Sequence, residues 1–278
     1  NQALLPTLFS GPTTLKVIDA KASKPPKCYL DCERDVVDWI LQPLSEDERE
    51  EFQACDSEMG KHHAPRHKSL DCSIMDAADD IAYGVHDLED AIALGLIDKE
   101  TLAGALHDKC PSFLDSLKEK YPEESANDVF GNFVEGLFDG SGTRKRFISR
   151  LVHHFITAAE FAEHEPFVDP LVRYRAKLKK EQSAFLKVLK DLVADEVILD
   201  PGVQHLEFKG QTMVVSVFEA LQADPKRLLP RDAYAKFAAA NNNPRIICDH
   251  VAGMTDTYLL RTYERLFSPR MGSVFDKL

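Results

Sequence analysis

The stretch from Ser69 to Asp98 holds residue types that can bind a cation, and it contains neither Lys nor Arg. Its acids are Asp71, Asp76, Asp79, Asp80, Asp87, Glu89, Asp90 and Asp98. Like charges at helical spacing repel one another, and a carboxylate near a core needs a cation, a hydrogen-bond donor or a proton. The stretch therefore indicates either a solvated acidic surface or part of a binding site.

Within this stretch, Asp79, Tyr83 and Asp87 follow one another at intervals of four residues. On a helix this spacing places them in a slowly drifting line on one face, which we name the acidic row. We expect the row to be half-buried at the margin of the apolar face. Two carboxylates and a phenol suit a hard divalent cation at one end and sugar hydroxyls at the other. By spacing alone, a solvated acidic face with a structural tyrosine is the simpler interpretation.

The element that must position the acidic row is a long helix, predicted from about Leu70 to Leu94. Its apolar residues recur at intervals of 4, 3, 4, 3 and 4, which is the period of one helical stripe. They are Ile74, Ala78, Ile81, Val85, Leu88 and Ile92.

A second polar line lies on the helix predicted to begin near Thr143. Arg146, Arg150 and His154 are spaced by four residues, and Arg144 and Lys145 add further positive charge. The helix follows two glycines, so its first N–H groups can face an anion. Arginine binds phosphate with paired donors. From the residues alone, a solvated basic face is the simpler interpretation.

The rest of the chain reads as helical. Further helices are predicted over residues 35–41, 99–107, 111–119, 143–162, 170–194, 205–223, 231–240 and 244–267, and another begins after Ser45. The only strand candidate is the short segment 196–199. We therefore predict an all-α fold, with residues 1–278 forming one domain that has no clear linker.

Composition limits the class of protein. Of 278 residues, 44% are hydrophobic and 29% are charged, which is typical of a soluble globular protein. The net charge of −12 argues against general binding to a phosphate backbone. No apolar run reaches the roughly 20 residues that a membrane span needs, and the first residues do not resemble a signal peptide. Six scattered cysteines without a CxxC pair predict free thiols, and we expect a cytoplasmic protein without membrane partners.

The run SIMDAADDIAYGVHDLEDAI, which begins at Ser73, resembles the signature helix of bacterial dGTP triphosphohydrolases. These are HD-domain phosphohydrolases, which are all-α metalloenzymes. The tail from Arg245 to Phe267 resembles the C-terminal helix of that family, and weaker similarity covers residues 27–40 and 147–161. The resemblance implies an HD-domain-type helical bundle and extends over most of the chain.

The resemblance also implies a division of roles within the acidic row. Asp79 would be a metal ligand, and Tyr83 and Asp87 would contact the deoxyribose at its 3′-hydroxyl. Asp80 is the alternative ligand if the register differs by one residue, but its side chain points about 100° away on a helix.

The phosphates and cofactor follow from the same resemblance. Arg146, Arg150 and His154 would bind the triphosphate, and the cofactor would be a divalent metal ion such as Mg²⁺ or Mn²⁺. The implied substrate is a deoxynucleoside triphosphate, in particular dGTP, and the implied assembly is a homo-oligomer. A further basic cluster at residues 173–180 is interpreted as surface, or as a contact to a regulatory nucleotide or single-stranded nucleic acid.

One departure from the family concerns the histidines. The family's first metal-binding His and its His-Asp pair precede the signature helix, whereas here no His precedes His62. We interpret His62, His63 and His67 as loop residues. The pair at His107 follows the helix, in the wrong chain order for a ligand. We therefore expect this chain to be the C-terminal portion of such an enzyme, without the N-terminal HD-motif helices.

Three functions remain open at this point. The first is metal-dependent hydrolysis of a deoxynucleoside triphosphate to the deoxynucleoside and tripolyphosphate. The second is a catalytically incomplete fragment that binds nucleotide or oligomerises without turnover. The third is a regulatory module that binds nucleic acid, which the acidic net charge disfavours.

Overall fold

Helices dominate the computed structural model, which describes residues 28–56, 64–123, 128–140 and 142–269. A 3₁₀ turn at Asp31–Glu33 leads into the first helix. The α-helices of the described residues are α1 (Arg34–Leu41), α2 (Glu46–Phe52), α3 (Leu70–Ala93), α4 (Lys99–Leu106), α5 (Pro111–Lys120), α6 (Val129–Phe138), α7 (Thr143–Ile156), α8 (Pro170–Arg173), α9 (Lys180–Val193), α10 (Pro201–Ala223), α11 (Pro225–Leu228), α12 (Arg231–Ala239), α13 (Arg245–Ala252) and α14 (Asp256–Phe267). The predicted all-α class is confirmed. None of the described helices is long and apolar enough to cross a membrane.

The described strands form two small antiparallel pairs. Strand β1 (Cys55–Asp56) pairs with β2 (Ala64–Pro65), and β3 (Ala159–Glu163) pairs with β4 (Tyr174–Leu178). The β3–β4 hairpin contradicts the prediction of a continuous helix over residues 170–194. Apolar side chains at 174, 176 and 178 also fit the two-residue period of a strand, and pairing with β3 decides between the two.

Several predicted helix ends also differ from the structure. The helix predicted to run to residue 162 ends at Ile156, and the one predicted over 244–267 is divided in two. The division follows Gly253, and the side chain of Thr255 caps α14 by accepting from the backbone N–H of Tyr258. The strand candidate at 196–199 is wrong, because residues 194–198 form a π-helical turn that continues α9. Helix α6 is not among the predicted helices.

The chain divides into two compact units, one spanning Pro25–Asp200 and the other including Pro201–Leu278. In the second unit, α10 packs with α13 and α14 around Val217, Leu221 and Ile247. The first unit carries every residue of the predicted site. The expectation of a single domain over 1–278 stays a prediction.

Helix α3 is the central element of the first unit and packs against α7, α9 and β4. Ile81, Val85 and Leu88 are buried, so the predicted stripe does face the core over these turns. Nearer the N-terminus, Ile74 is 45% exposed, and Ala78 is exposed as well. The described elements therefore cover only the C-terminal part of the stripe.

A glycine allows α3 and α9 to approach closely. A Cβ atom at Gly84 would lie 2.6 Å from Cδ1 of Leu186, which is itself buried. Real Cβ atoms do not approach a carbon this closely, so any side chain here would displace Leu186. Because Gly84 follows Tyr83 directly, this contact sets how the acidic row lies relative to α9.

Candidate functional site

The acidic row lies along the outer side of α3. Tyr83 is half-buried and packs against the main core, whereas Asp79 and Asp87 are exposed. The expectation of a half-buried row is therefore correct for the phenol and wrong for the two carboxylates. The reason is the helix rotation: the described neighbours of α3 cover the face of Ile81 and Val85, about 100° or more away from the carboxylates.

Neighbouring carboxylates of α3 affect Asp87. The pKa of Asp87 is raised by partial burial and then by the negative charges of Asp90 and Asp79, while His86 opposes the shift. A carboxylate in this environment is stabilised by any cation or hydrogen-bond donor that approaches it. The row can therefore accept a cation or a hydroxyl from a ligand.

Lys190 of α9 makes the surroundings of the two candidate metal ligands, Asp79 and Asp80, different. Its ammonium forms an ion pair with Asp80 and lies 5.9 Å from the centroid of the Tyr83 ring. Asp80 is thus already neutralised by a neighbouring helix, and this favours Asp79 as the carboxylate that would meet a cation.

Asp79 by itself does not make a metal site. Its carboxylate is the hard oxygen donor that Mg²⁺ or Mn²⁺ prefers, but such ions take about six ligands. Within the described ranges, no group of three or more His, Cys, Asp or Glu side chains is arranged to hold a metal ion. The residues present therefore fit one ligand of the implied metal and not the complete set.

Of the three histidines that precede α3, the structure describes His67. His62 and His63 lie outside the described residues. His67 belongs to the segment before α3, as predicted, but its side chain is only 9% exposed and contacts Glu51 and His164. The His107–Asp108 pair lies on an exposed turn.

Two residues of the second polar line, Arg146 and Arg150, share an open groove of about 550 Å³ between α5, α6 and α7, which we name the arginine groove. Arg146 and Arg150 line it together with the polar side chains of Asn132 and Thr143. The guanidinium of Arg150 stacks over the ring of Tyr121, with its central carbon 3.6 Å from the ring centroid. This contact with the ring restricts the positions that the guanidinium of Arg150 can take.

The groove also contains negative charge and does not include the acidic row. Glu135 and Asp139 line it beside the arginines, and Glu135 forms an ion pair with Lys99. Its described lining comes from α5, α6, α7 and the turn before α7, with no residue of α3 among them. The structure thus brings Arg146 and Arg150 together but does not place them in one cavity with Asp79.

His154, the third member of the second polar line, is buried. Its ring packs edge-on against Phe113 and Phe155, and its Nε2 atom lies 3.5 Å from the hydroxyl of Ser112. Burial lowers the pKa of His154, and the nearby charges of Lys120 and His153 act in the same direction. The described geometry is that of a core histidine, and its predicted role toward phosphate has no support from this position.

The turn before α7 depends on a glycine. Gly142 is the N-terminal cap of α7 and has a φ of 96°, a conformation that L-residues rarely adopt. The Gly142→Ala variant is expected to lower the free energy of unfolding by about 1–2 kcal/mol through backbone strain alone, since a Cβ there meets no atom within 4 Å.

The matched control for this prediction is Gly104→Ala on α4, where a Cβ also meets open space and the backbone is helical. This variant is expected to raise the free energy of unfolding by about 0.5–1 kcal/mol. Urea denaturation of both variants measures the difference. Equal effects at the two positions would contradict the strain at Gly142.

The second basic cluster lies largely on the β3–β4 hairpin. Arg173 pairs with Glu163 at 2.9 Å, and Lys177 pairs with Glu160 at 3.4 Å across the hairpin. These pairs are exposed and fit the interpretation of this cluster as protein surface. Arg175 differs, because it points toward His67.

Comparison with known proteins identifies the relatives of this chain. A family described as phosphohydrolase-associated domain matches residues 176–265. The deoxyguanosinetriphosphate triphosphohydrolase-like protein 2 of Deinococcus radiodurans is 40% identical over 255 residues, which cover 91% of this chain and 56% of that protein. A deoxyguanosinetriphosphate triphosphohydrolase-like protein of Shewanella woodyi is 39% identical over 258 residues, with the same coverage of 91% and 56%.

The chain is a homologue of the dGTPase-like proteins. The resemblance predicted from the signature helix is thereby confirmed. The chain spans about 56% of the length of these curated relatives, so the activity of a whole protein of this kind is a separate question.

In this chain, which is similar to dGTPase-like proteins, the acidic row and the arginine groove are the two described regions with chemistry suited to a nucleotide. Sequence reasoning found both of them. It missed the stacking of Arg150 on Tyr121 and the contact between His67 and His164, which involves residues 97 positions apart. No spacing rule connects such distant positions.

Proposed function

We propose that this chain is part of an enzyme that hydrolyses a deoxynucleoside triphosphate, in particular dGTP, to the deoxynucleoside and tripolyphosphate. The observation that carries the proposal is the acidic row on α3 in a chain homologous to dGTPase-like proteins. In this reaction water adds to the α-phosphorus, and the bond from that phosphorus to the 5′-oxygen breaks. One proton of the water is transferred to that 5′-oxygen, so the deoxyribose leaves with a hydroxyl group.

The residues of the acidic row would have separate roles in binding the metal and the sugar. Asp79 would supply one ligand of a divalent cation, which when bound would polarise the α-phosphate and activate water. Tyr83 and Asp87 would bind the 3′-hydroxyl of the deoxyribose. The raised pKa of Asp87 favours an interaction with a hydroxyl donor, because that hydrogen bond stabilises the charged carboxylate.

Arg146 and Arg150 would contribute at the phosphates, and their common groove supports this part of the proposal. The carboxylates in the same groove and the buried position of His154 weaken it. A homo-oligomer and a regulatory single-stranded nucleic acid also remain proposals.

A second candidate is a nucleotide-binding or oligomerising portion without turnover. The single carboxylate ligand that the described residues provide supports this candidate. The two candidates differ in whether this chain hydrolyses nucleotide alone or only within a longer protein.

The test compares this 278-residue chain with a chimera in which it replaces the matched region of the Deinococcus radiodurans relative. Tripolyphosphate release from dGTP and bound Mn²⁺ are measured for both. We expect metal-dependent release by the chimera and little or none by the chain alone. Turnover with stoichiometric metal in the chain alone would refute the incomplete-portion candidate. A chimera that folds and binds Mn²⁺ but releases no tripolyphosphate from any deoxynucleoside triphosphate would refute the proposed reaction.

A further inference from the structure

A partly buried polar cluster lies apart from the acidic row and the arginine groove, and we name its members Glu51, His67, His164 and Arg175 the histidine cluster. His67 is at its centre, with Nε2 at 2.8 Å from Oε1 of Glu51 and Nδ1 at 3.1 Å from Nε2 of His164. The Nη2 atom of Arg175 lies 3.4 Å from the same Nδ1.

The partners assign the protons of His67. A carboxylate only accepts hydrogen bonds, so Nε2 of His67 donates to Glu51. A guanidinium only donates, so Nδ1 of His67 carries the lone pair that both Arg175 and His164 face. His164 therefore donates from Nε2.

The positive charge of Arg175 is poorly compensated in the cluster. Its Nε atom is buried and has no hydrogen-bond partner among the described residues. Burial lowers the pKa of His164, the charges of Arg175 and His67 lower it further, and Glu51 opposes them. These are the titratable and charged groups that act on His164 from α2, from the segment before α3 and from β4.

The histidine cluster joins parts of the fold that are distant in sequence. Glu51 belongs to α2, His67 to the segment before α3, and the other two members to the β3–β4 hairpin and the residue after β3. Next to the cluster, Phe52 of α2 packs edge-on against Phe167, and His67 packs against the same ring. The cluster is thus the polar part of the contact that holds α2 to the hairpin.

A second carboxylate of α2 makes the same connection. Oε1 of Glu48 accepts hydrogen bonds from the backbone N–H groups of Val168 at 2.7 Å and Asp169 at 2.9 Å. Backbone hydrogen bonds from Asp169 and Val168, together with one at the N-terminus of α2, lower the pKa of Glu48 to about 2. Glu48 therefore stays charged in mildly acidic and neutral solution and cannot respond to pH there.

We propose that His164, through its contact with His67, forms a proton-sensitive latch that holds α2 and the segment before α3 against the β3–β4 hairpin. A proton added to His164 would place a second positive charge beside Arg175. This second charge weakens the contact, so the latch is closed near neutral pH and opens as the solution becomes acidic. The inference does not depend on the proposed reaction.

The direction of the pH dependence follows from the linkage between proton binding and closure of the latch. A histidine whose pKa is lower in the closed state than in the open state binds more protons when the latch is open. Closure is therefore fully favoured above about pH 6.5 and is lost progressively below it, down to the lowered pKa of His164. One proton taken up per opening gives at most about a tenfold change in the closing equilibrium per pH unit.

The experiment is hydrogen exchange of the full 278-residue chain at about pH 7.5 and about pH 5.5, expressed as protection relative to the unfolded peptides. Peptides covering residues 45–54 and 164–176 are expected to lose protection on acidification, by up to about tenfold per pH unit below about 6.5. Peptides from α9 are expected to keep theirs. The His164→Gln variant, which retains a donor but takes no charge, should abolish the pH response.

The control is His107→Gln, because His107 is 70% exposed and lies on a turn away from α2. It should leave the response unchanged. A response that survives His164→Gln, or that His107→Gln also removes, would overturn the latch. If His164→Gln does not fold, NMR titration of the imidazoles in the unmodified chain decides the matter. His164 must then take up its proton in the same pH range in which protection is lost, and a His164 that stays neutral through that range refutes the proposal.

Discussion

Replacing Asp79 with alanine in the chimera described above is expected to reduce tripolyphosphate release from dGTP at least about 100-fold. Loss of a residue that only supports a metal ligand commonly costs 10- to 100-fold in metal affinity or activity, so loss of a ligand itself should cost at least the upper value. Asp79 is exposed on α3, and the variant should keep its melting temperature. The measurements are kcat/KM for tripolyphosphate release and the content of bound Mn²⁺.

Asp80→Ala is the matched control, because it removes a carboxylate from the adjacent position of the same helix. Asp80 forms an exposed ion pair with Lys190, and such pairs contribute about 0–1 kcal/mol to stability. This variant should retain activity within a few-fold. A larger loss for Asp80→Ala than for Asp79→Ala would transfer the role of ligand to Asp80, and full activity of both would remove the acidic row from the metal site.

The second large effect concerns the aromatic core behind the arginine groove. Phe113 is 1% exposed, and its ring lies 5.0 Å from that of Phe133 and 6.0 Å from that of Phe185 between centroids. Phe113→Ala is expected to lower the free energy of unfolding by about 3–5 kcal/mol, through lost burial and the cavity that remains. Urea denaturation of the chain followed by circular dichroism measures this.

Phe161→Ala makes the same chemical change at a position that is 70% exposed, on the outer side of β3. Its effect should stay within about 0.5 kcal/mol. Similar losses for the two variants would mean that Phe113 is not part of the folding core. Because His154 packs against Phe113, the variant also tests whether that histidine is held by the core.

Local pattern was sufficient for helix α3 and its buried face. The spacing of Ile81, Val85 and Leu88 identified the buried face, and the interval of four residues placed Asp79 and Asp87 on another. These inferences succeed because helical geometry alone decides which side chains share a face. Local pattern could not show that the carboxylates are exposed, since exposure depends on which elements cover the helix.

The hairpin at residues 159–178 shows how a helical spacing of apolar residues can predict the wrong secondary structure. Leu171 and Leu178 are seven residues apart, as on a helix, yet the first lies on α8 and the second on β4. The hairpin is stabilised by pairing between its strands and by a contact from outside: the N–H of Ala176 donates to the hydroxyl of Ser73 on α3 at 2.8 Å. Pairing with β3 decided the competition between helix and strand, and the contact with Ser73 that supports it comes from about 100 residues away, outside any local window.

The sequence by itself determined the all-α class, the helix that carries the acidic row, the charge of each candidate surface and the similarity to dGTPase-like proteins. Each of these depends on residues within one helix or on a continuous motif. Only the tertiary structure decided that Lys190 neutralises Asp80, that His154 is buried, and that His67 meets His164. These results depend on side chains brought together from distant positions by core packing, and the free energy of that packing is shared among many residues that have no common spacing.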